Sequence, residues 1–144
     1  MSSSTLGGAL RKLLLLLSLF PVACGSSQTV EEEPLLTPEQ QAELKRFVDE
    51  KIAALPGQVQ ISAEQREDAA PFARAAARQI VAAGGKYHAD PTPANLQRFS
   101  REMKRIRDQL SQAIQPLMTS SQRYTYMSVF DKVLQELRTL RLND

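Results

Sequence analysis

From Leu96, the side chains Phe99, Met103, Ile106, Leu110, Ala113 or Ile114, and Leu117 follow one another at alternating steps of three and four residues. That period fits one face of a helix and no strand, so the stretch predicts a long amphipathic helix with one stripe to bury. A chain of 144 residues can enclose one modest core. With no Trp, three Tyr and five Phe, the core has to come from Leu, Ile, Val, Met and Ala. Such a core suits helix packing better than sheet. The expected fold class is therefore all-α, with four helices.

Start and stop signals place the other three. Leu36-Thr37-Pro38-Glu39-Gln40 supplies an N-cap (Thr37), a first-turn proline (Pro38) and an N3 glutamine (Gln40) able to reach back to the cap amide. Leu44, Phe47, Val48, Ile52 and Leu55 continue that helix until Pro56-Gly57 stops it. A second start stands at Ser62 with Gln65 three residues on, but Pro71 predicts a break near Asp68 to Ala70, with the main helix over Pro71 to Ala83. Its buried face is expected to hold Phe72, Ala76, Ile80, and Ala83 or Val81, and Gly84-Gly85 to end it. Thr92-Pro93 caps the third and longest helix, and Met118-Thr119-Ser120-Ser121-Gln122 opens the fourth. Tyr126, Met127, Phe130, Val133, Leu134, Leu137 and Leu140 form the stripe of that last helix.

The N-terminus has the layout of a secretory signal over residues 1–23: Arg11 and Lys12, an apolar run from Leu13 to Phe20, and a small-residue exit at Pro21-Val22-Ala23. The run is far shorter than the roughly 20 residues that span a bilayer. Cys24, the only cysteine, stands where a lipobox would end. A lone thiol in an oxidising compartment has no internal partner, which leaves lipidation, intermolecular pairing or removal with the signal. Bacterial lipoprotein signals resemble Leu-Ala/Ser-Gly/Ala-Cys. Ala23 and Cys24 match that pattern, and Pro21 replaces the usual aliphatic residue. Lipidation of Cys24 and attachment to a membrane are expected, with ordinary cleavage near Ala23 or Gly25 as the alternative. Gly25 and Ser26 lack the Asp that resembles an inner-membrane retention signal, so the outer membrane is the expected destination. Residues 24–35 read as a flexible acidic tether, and 36–144 as the helical domain.

Two helix starts share one device: aliphatic residue, Thr, two variable positions, Gln. Leu36, Thr37 and Gln40 form one copy, and Met118, Thr119 and Gln122 the other. The pair resembles the doubled LTxxQ signature of the Spy/CpxP family of periplasmic proteins, and the order of signal, motif and helices is similar over about Leu36 to Leu140. The resemblance implies a curved helical hairpin that pairs into a cradle-shaped homodimer and holds unfolded or partner proteins without ATP. Some relatives damp an envelope-stress sensor or bind zinc.

Charge adds a separate indication. Loss of Arg11 and Lys12 with the signal brings 18 basic residues to 16, against 16 acidic, so the mature chain is formally neutral. The acids concentrate before Asp68 and the bases after it. Arg98, Arg101 and Arg105 fall opposite the stripe of the third helix, flanked by Lys104 and Arg107. They read as a solvated face paired with Glu102 and Asp108, or as a basic patch for acidic clients, a partner domain or anionic lipid. Phe99, Met103, Tyr126 and Met127 are the candidates for an apolar client surface beside it, and otherwise they fill the core.

A neutral exported module is a poor nucleic-acid binder. His88 lies in a Gly-Gly-Lys-Tyr-His stretch without Cys and reads as an ordinary loop histidine, so no metal and no cofactor is expected. No catalytic motif occurs, and the chain is not expected to be an enzyme. A binding or chaperone-like role leads. A structural envelope lipoprotein, or a sensor or metal-responsive accessory protein, is the alternative.

Overall fold

A computed structural model describes residues 34–143. The signal, Cys24 and the acidic tether up to Glu33 lie outside the described residues. Within them the chain is all-helical, with four α-helices and no strand: α1 (Pro38–Val48), α2 (Ala63–Ala89), α3 (Pro93–Ile114) and α4 (Ser120–Thr139). No helix among the described residues is long and apolar enough to cross a membrane.

The helix starts follow from their caps. The Thr37 hydroxyl accepts the Gln40 amide at 3.1 Å, and the Gln40 side chain accepts the Thr37 amide at 3.0 Å. Ser62 with Gln65 and Thr119 with Gln122 repeat this reciprocal arrangement. Thr92 caps α3 through the Asn95 amide, with Pro93 in the first turn. Each box satisfies two amides that have no partner inside the helix.

Three expectations about helix extent need correction. α1 ends at Val48 and widens into a π-helical turn (Asp49–Ala53), then a 3-10 turn (Leu55–Gly57), rather than running as one helix to Leu55. α2 runs unbroken through Pro71 and through Gly84-Gly85, and it, not α3, is the longest helix, 27 residues against 22. Pro71 is tolerated because it and Glu67, whose carbonyl loses its partner, are both solvent-exposed, so water can take the freed oxygen. The capping box at Ser62 and the buried Ala69 and Ala73 hold the turns on either side. At the other end tertiary contacts outweigh the glycine penalty of about 1 kcal/mol per residue. Gly84 is buried beside Leu44 and Phe99, Tyr87 stacks on Phe99 with ring centroids 5.1 Å apart, and His88 Nε2 lies 2.9 Å from the Leu137 carbonyl. His88 is thus a helical, half-buried residue rather than a loop one.

The core gathers Leu44, Val48, Ile52 and Leu55 from the first segment, the small face of α2 (Ala76, Ala77, Ile80), and the stripes of α3 and α4. The buried faces match the sequence expectation in the main, with these exceptions: Leu96 is 38% exposed, Leu117 and Leu140 lie partly buried beyond the ends of α3 and α4, and Phe72, expected inside, is 41% exposed. Alanines at the α2 contact leave no room for a phenyl ring on that side, so Phe72 turns to the flank facing α3.

Candidate functional site

The two LTxxQ-like boxes sit at opposite poles of the bundle. Gln122 meets Gln65 in the first turn of α2: Gln65 Nε2 donates to Gln122 Oε1 at 2.8 Å and to the Leu117 carbonyl at 3.1 Å, and Gln122 Nε2 donates back at 3.3 Å. Leu36 and Gln41 instead lie beside Gly85, 20 residues further along α2, which corresponds to about 30 Å of helix rise. The partner of the Thr119 box is therefore the Ser62 box, not the Thr37 box. Leu36 and Met118 are both half-buried at their poles.

The proposed apolar client residues are not at the surface. Phe99, Met103, Tyr126 and Met127 are each 5% exposed or less and belong to the central core. The reason is register. Phe99 and Met103 continue through Ile106 and Leu110 along the one stripe of α3 that faces the other helices, and Tyr126 and Met127 do the same with Phe130 on α4. The large apolar side chains left exposed are Leu35, Phe72, Leu96 and Tyr124, the last at 76%.

The basic candidates are exposed and share the outer face of α3. Arg105 is engaged: its Nη2 donates to Glu102 Oε2 at 2.7 Å and to Gln79 Oε1 on α2 at 3.3 Å, and its Nη1 to Gln109 Oε1. The guanidinium holds the Glu102 carboxyl below its ordinary range, mainly through that hydrogen bond. Arg98 and Arg101 make no ion pair among the described residues. Arg107 leaves this face and forms a two-pronged pair with Asp131 of α4, at 2.7 and 3.1 Å.

Between α2 and α3 runs a shallow furrow that the sequence candidates did not include. One hollow of about 210 Å³ is lined by Phe72, Ala75, Gln79, Gln109 and Ala113, with Ile106 and Leu110 beneath. A second, of about 340 Å³, is lined by Gln79, Ala82, Lys86, Arg98 and Arg105. The Arg105 to Gln79 bond spans the furrow where the two meet. Its apolar end thus passes into an end where Lys86, Arg98 and Arg105 surround the Glu102 carboxylate. The signal for it was the α2 series Phe72, Ala75, Gln79, Ala82, Lys86 at three and four residue steps, which the expected stop at Gly84-Gly85 cuts short and the assignment of Phe72 to the buried face obscures.

Among the described residues no three His, Cys, Asp or Glu side chains converge as a metal-holding group. Compared with protein-family models, curated proteins and solved structures, the chain matches none.

Proposed function

We propose that this is an exported helical binding module of the Spy/CpxP kind, tethered through lipidated Cys24 to the periplasmic face of a membrane, the outer rather than the inner. It holds segments of unfolded or partner proteins without ATP, as a chaperone-like or stress-response component. The supporting observation is the α2–α3 furrow, where exposed Phe72 and the alanine-lined hollow adjoin Lys86 and Arg98, with Arg101 exposed nearby on α3. Apolar burial at one end and charge attraction at the other favour segments in which apolar residues are flanked by acids. The reading keeps Arg98, Arg101 and Arg105 as candidates and replaces the four buried ones with Phe72 and the alanines of α2.

The test is suppression of aggregation of an unfolding substrate by the mature protein at near-stoichiometric amounts, without nucleotide. Phe72→Ser and the double change Arg98→Glu, Arg101→Glu should each weaken it several-fold while leaving the helical spectrum intact. Absence of suppression over a wide concentration range sinks the reading. Mass measurement of the membrane-extracted protein tests the Cys24 anchor directly.

One observation favours a second reading, a purely structural envelope lipoprotein: the core is sealed, with few large apolar side chains left outside it. That reading requires both substitutions to be silent.

A further inference from the structure

At the pole where α1 begins and α4 ends lies a cleft of about 570 Å³, the size of sites that enclose small ligands. It is separate from the α2–α3 furrow and is lined by Gln40, Tyr87, His88, Pro91, Arg138 and Arg141 among others. Its polar chemistry is one-sided. Arg105 and Arg107 pair with Glu102 and Asp131. Arg138 and Arg141 make no ion pair among the described residues, and no described carboxylate lines the cleft. Glu43 on the next turn of α1 accepts the Asn143 amide at 3.2 Å, and Asp90 accepts the Asn95 side chain. Gln40 commits its Oε1 to the Thr37 amide, which leaves its NH₂ as a donor. The Leu137 carbonyl at this helix end is taken up by His88 and by the Leu140 amide.

We propose that this polar cleft is an anion site for a phosphate group carried on a sugar-sized body, with Arg138 and Arg141 as the phosphate ligands and Gln40 as a supporting donor. Two guanidiniums and an amide donor on one lining suit the charge and the several acceptor oxygens of a phosphate better than those of a single carboxylate. The flat Tyr87 and Pro91 surfaces give a ring somewhere to lie.

The test is titration of the mature chain with glucose 1-phosphate, followed by ¹H–¹⁵N NMR. Saturable shifts centred on the Gln40 side-chain amide and His88 are expected, with affinity at least tenfold above that for glucuronate. Arg138→Gln with Arg141→Gln should lower affinity tenfold or more. The control pair Arg98→Gln with Arg101→Gln, exposed on the other face, should change it less than twofold. Equal loss in both pairs, equal binding of glucuronate, or no saturation would overturn the site. The chain's own acids need a control as well: Glu31→Gln, Glu32→Gln, Glu33→Gln should bind within twofold of the parent. A tenfold gain would show the tether to be the occupant and refute the proposal. A final arm identifies the source of the phosphate. Sedimentation of the unlipidated Cys24→Ser chain with phosphatidylglycerol vesicles, lost in the Arg138/Arg141 variant and absent with phosphatidylcholine, indicates a lipid headgroup, and sugar phosphate binding without vesicle binding indicates a soluble ligand. Both results support the site.

Discussion

Tyr126 is fully buried, yet its hydroxyl has no hydrogen-bond partner in the protein. Burial also pushes its ionisation well above the ordinary tyrosine range. Replacing it with phenylalanine removes a polar group desolvated at a cost of about 1–3 kcal/mol. The gap left by one oxygen is on the order of 10 Å³, and at ~24 cal/mol per Å³ it costs only about 0.2 kcal/mol. The desolvation term wins, so Tyr126→Phe should stabilise the domain by roughly 1–2 kcal/mol, a rise in Tm of about 4–8 °C. Urea and thermal unfolding followed by circular dichroism measure it. Alkaline titration adds an independent sign. A phenol whose ionisation is raised by folding contributes stability that is present below pH 10 and lost as pH rises above it. Wild type should therefore weaken above pH 10 more steeply than Tyr126→Phe. A variant less stable by 1 kcal/mol or more refutes the reasoning, because the hydroxyl would then have a partner such as a trapped water.

Three further outcomes are expected. Gly84→Ala places a Cβ 3.6 Å from Leu44 and 3.8 Å from Phe99, ordinary contacts, so it should stabilise by about 0.5–1 kcal/mol in urea unfolding, and destabilisation would show that α2 cannot accept the methyl. Gln65→Ala and Gln122→Ala should each cost about 1 kcal/mol, and the double variant should be non-additive by roughly 0.5 kcal/mol or more, because the two boxes share one amide pair; strict additivity would deny the link. Burial lowers the His88 pKa below its ordinary 6.5, against the opposing effect of the Leu137 bond. Its stabilising contribution is then full above pH 6.5 and falls as pH drops below it. The urea midpoint should decline from pH 7 to pH 5 more in wild type than in His88→Gln, and an equal decline would exclude His88 as the cause.

The parts of the fold legible in the sequence are those decided locally. The caps at Thr37, Thr92 and Thr119 and the stripes of α3 and α4 depend on residues within one or two turns, and they stand where expected. Misreadings fall where distant contacts overrule local preference. Gly84 and Gly85 weaken a helix by themselves, yet here the packing of Leu44 and Phe99 against Gly84, and of Tyr87 and His88 beyond it, holds α2 helical. Pro71 weakens a helix too, but the carbonyl it frees faces water and the buried Ala69 and Ala73 on either side hold the helix together. The site suffered from the same cause: periodicity shows that Phe99, Met103, Tyr126 and Met127 share a face, not whether that face is covered, and here neighbouring helices cover it.

The alanines of α2 link these observations. Because Ala73, Ala76 and Ala77 are small, α2 can sit close to its neighbours, and the furrow above the α2–α3 contact stays shallow. A shallow furrow removes little apolar area from water, and at roughly 25 cal/mol per Å² a partner burying a few tens of Å² against Phe72 gains about 1 kcal/mol. Capture on this face must then lean on Lys86, Arg98 and Arg101. Those side chains are exposed, and salt screens their attraction within a Debye length of about 8 Å at physiological ionic strength. The client binding proposed for this furrow would therefore be weak at each contact and sensitive to salt, so it would hold chains briefly rather than lock onto a single folded partner.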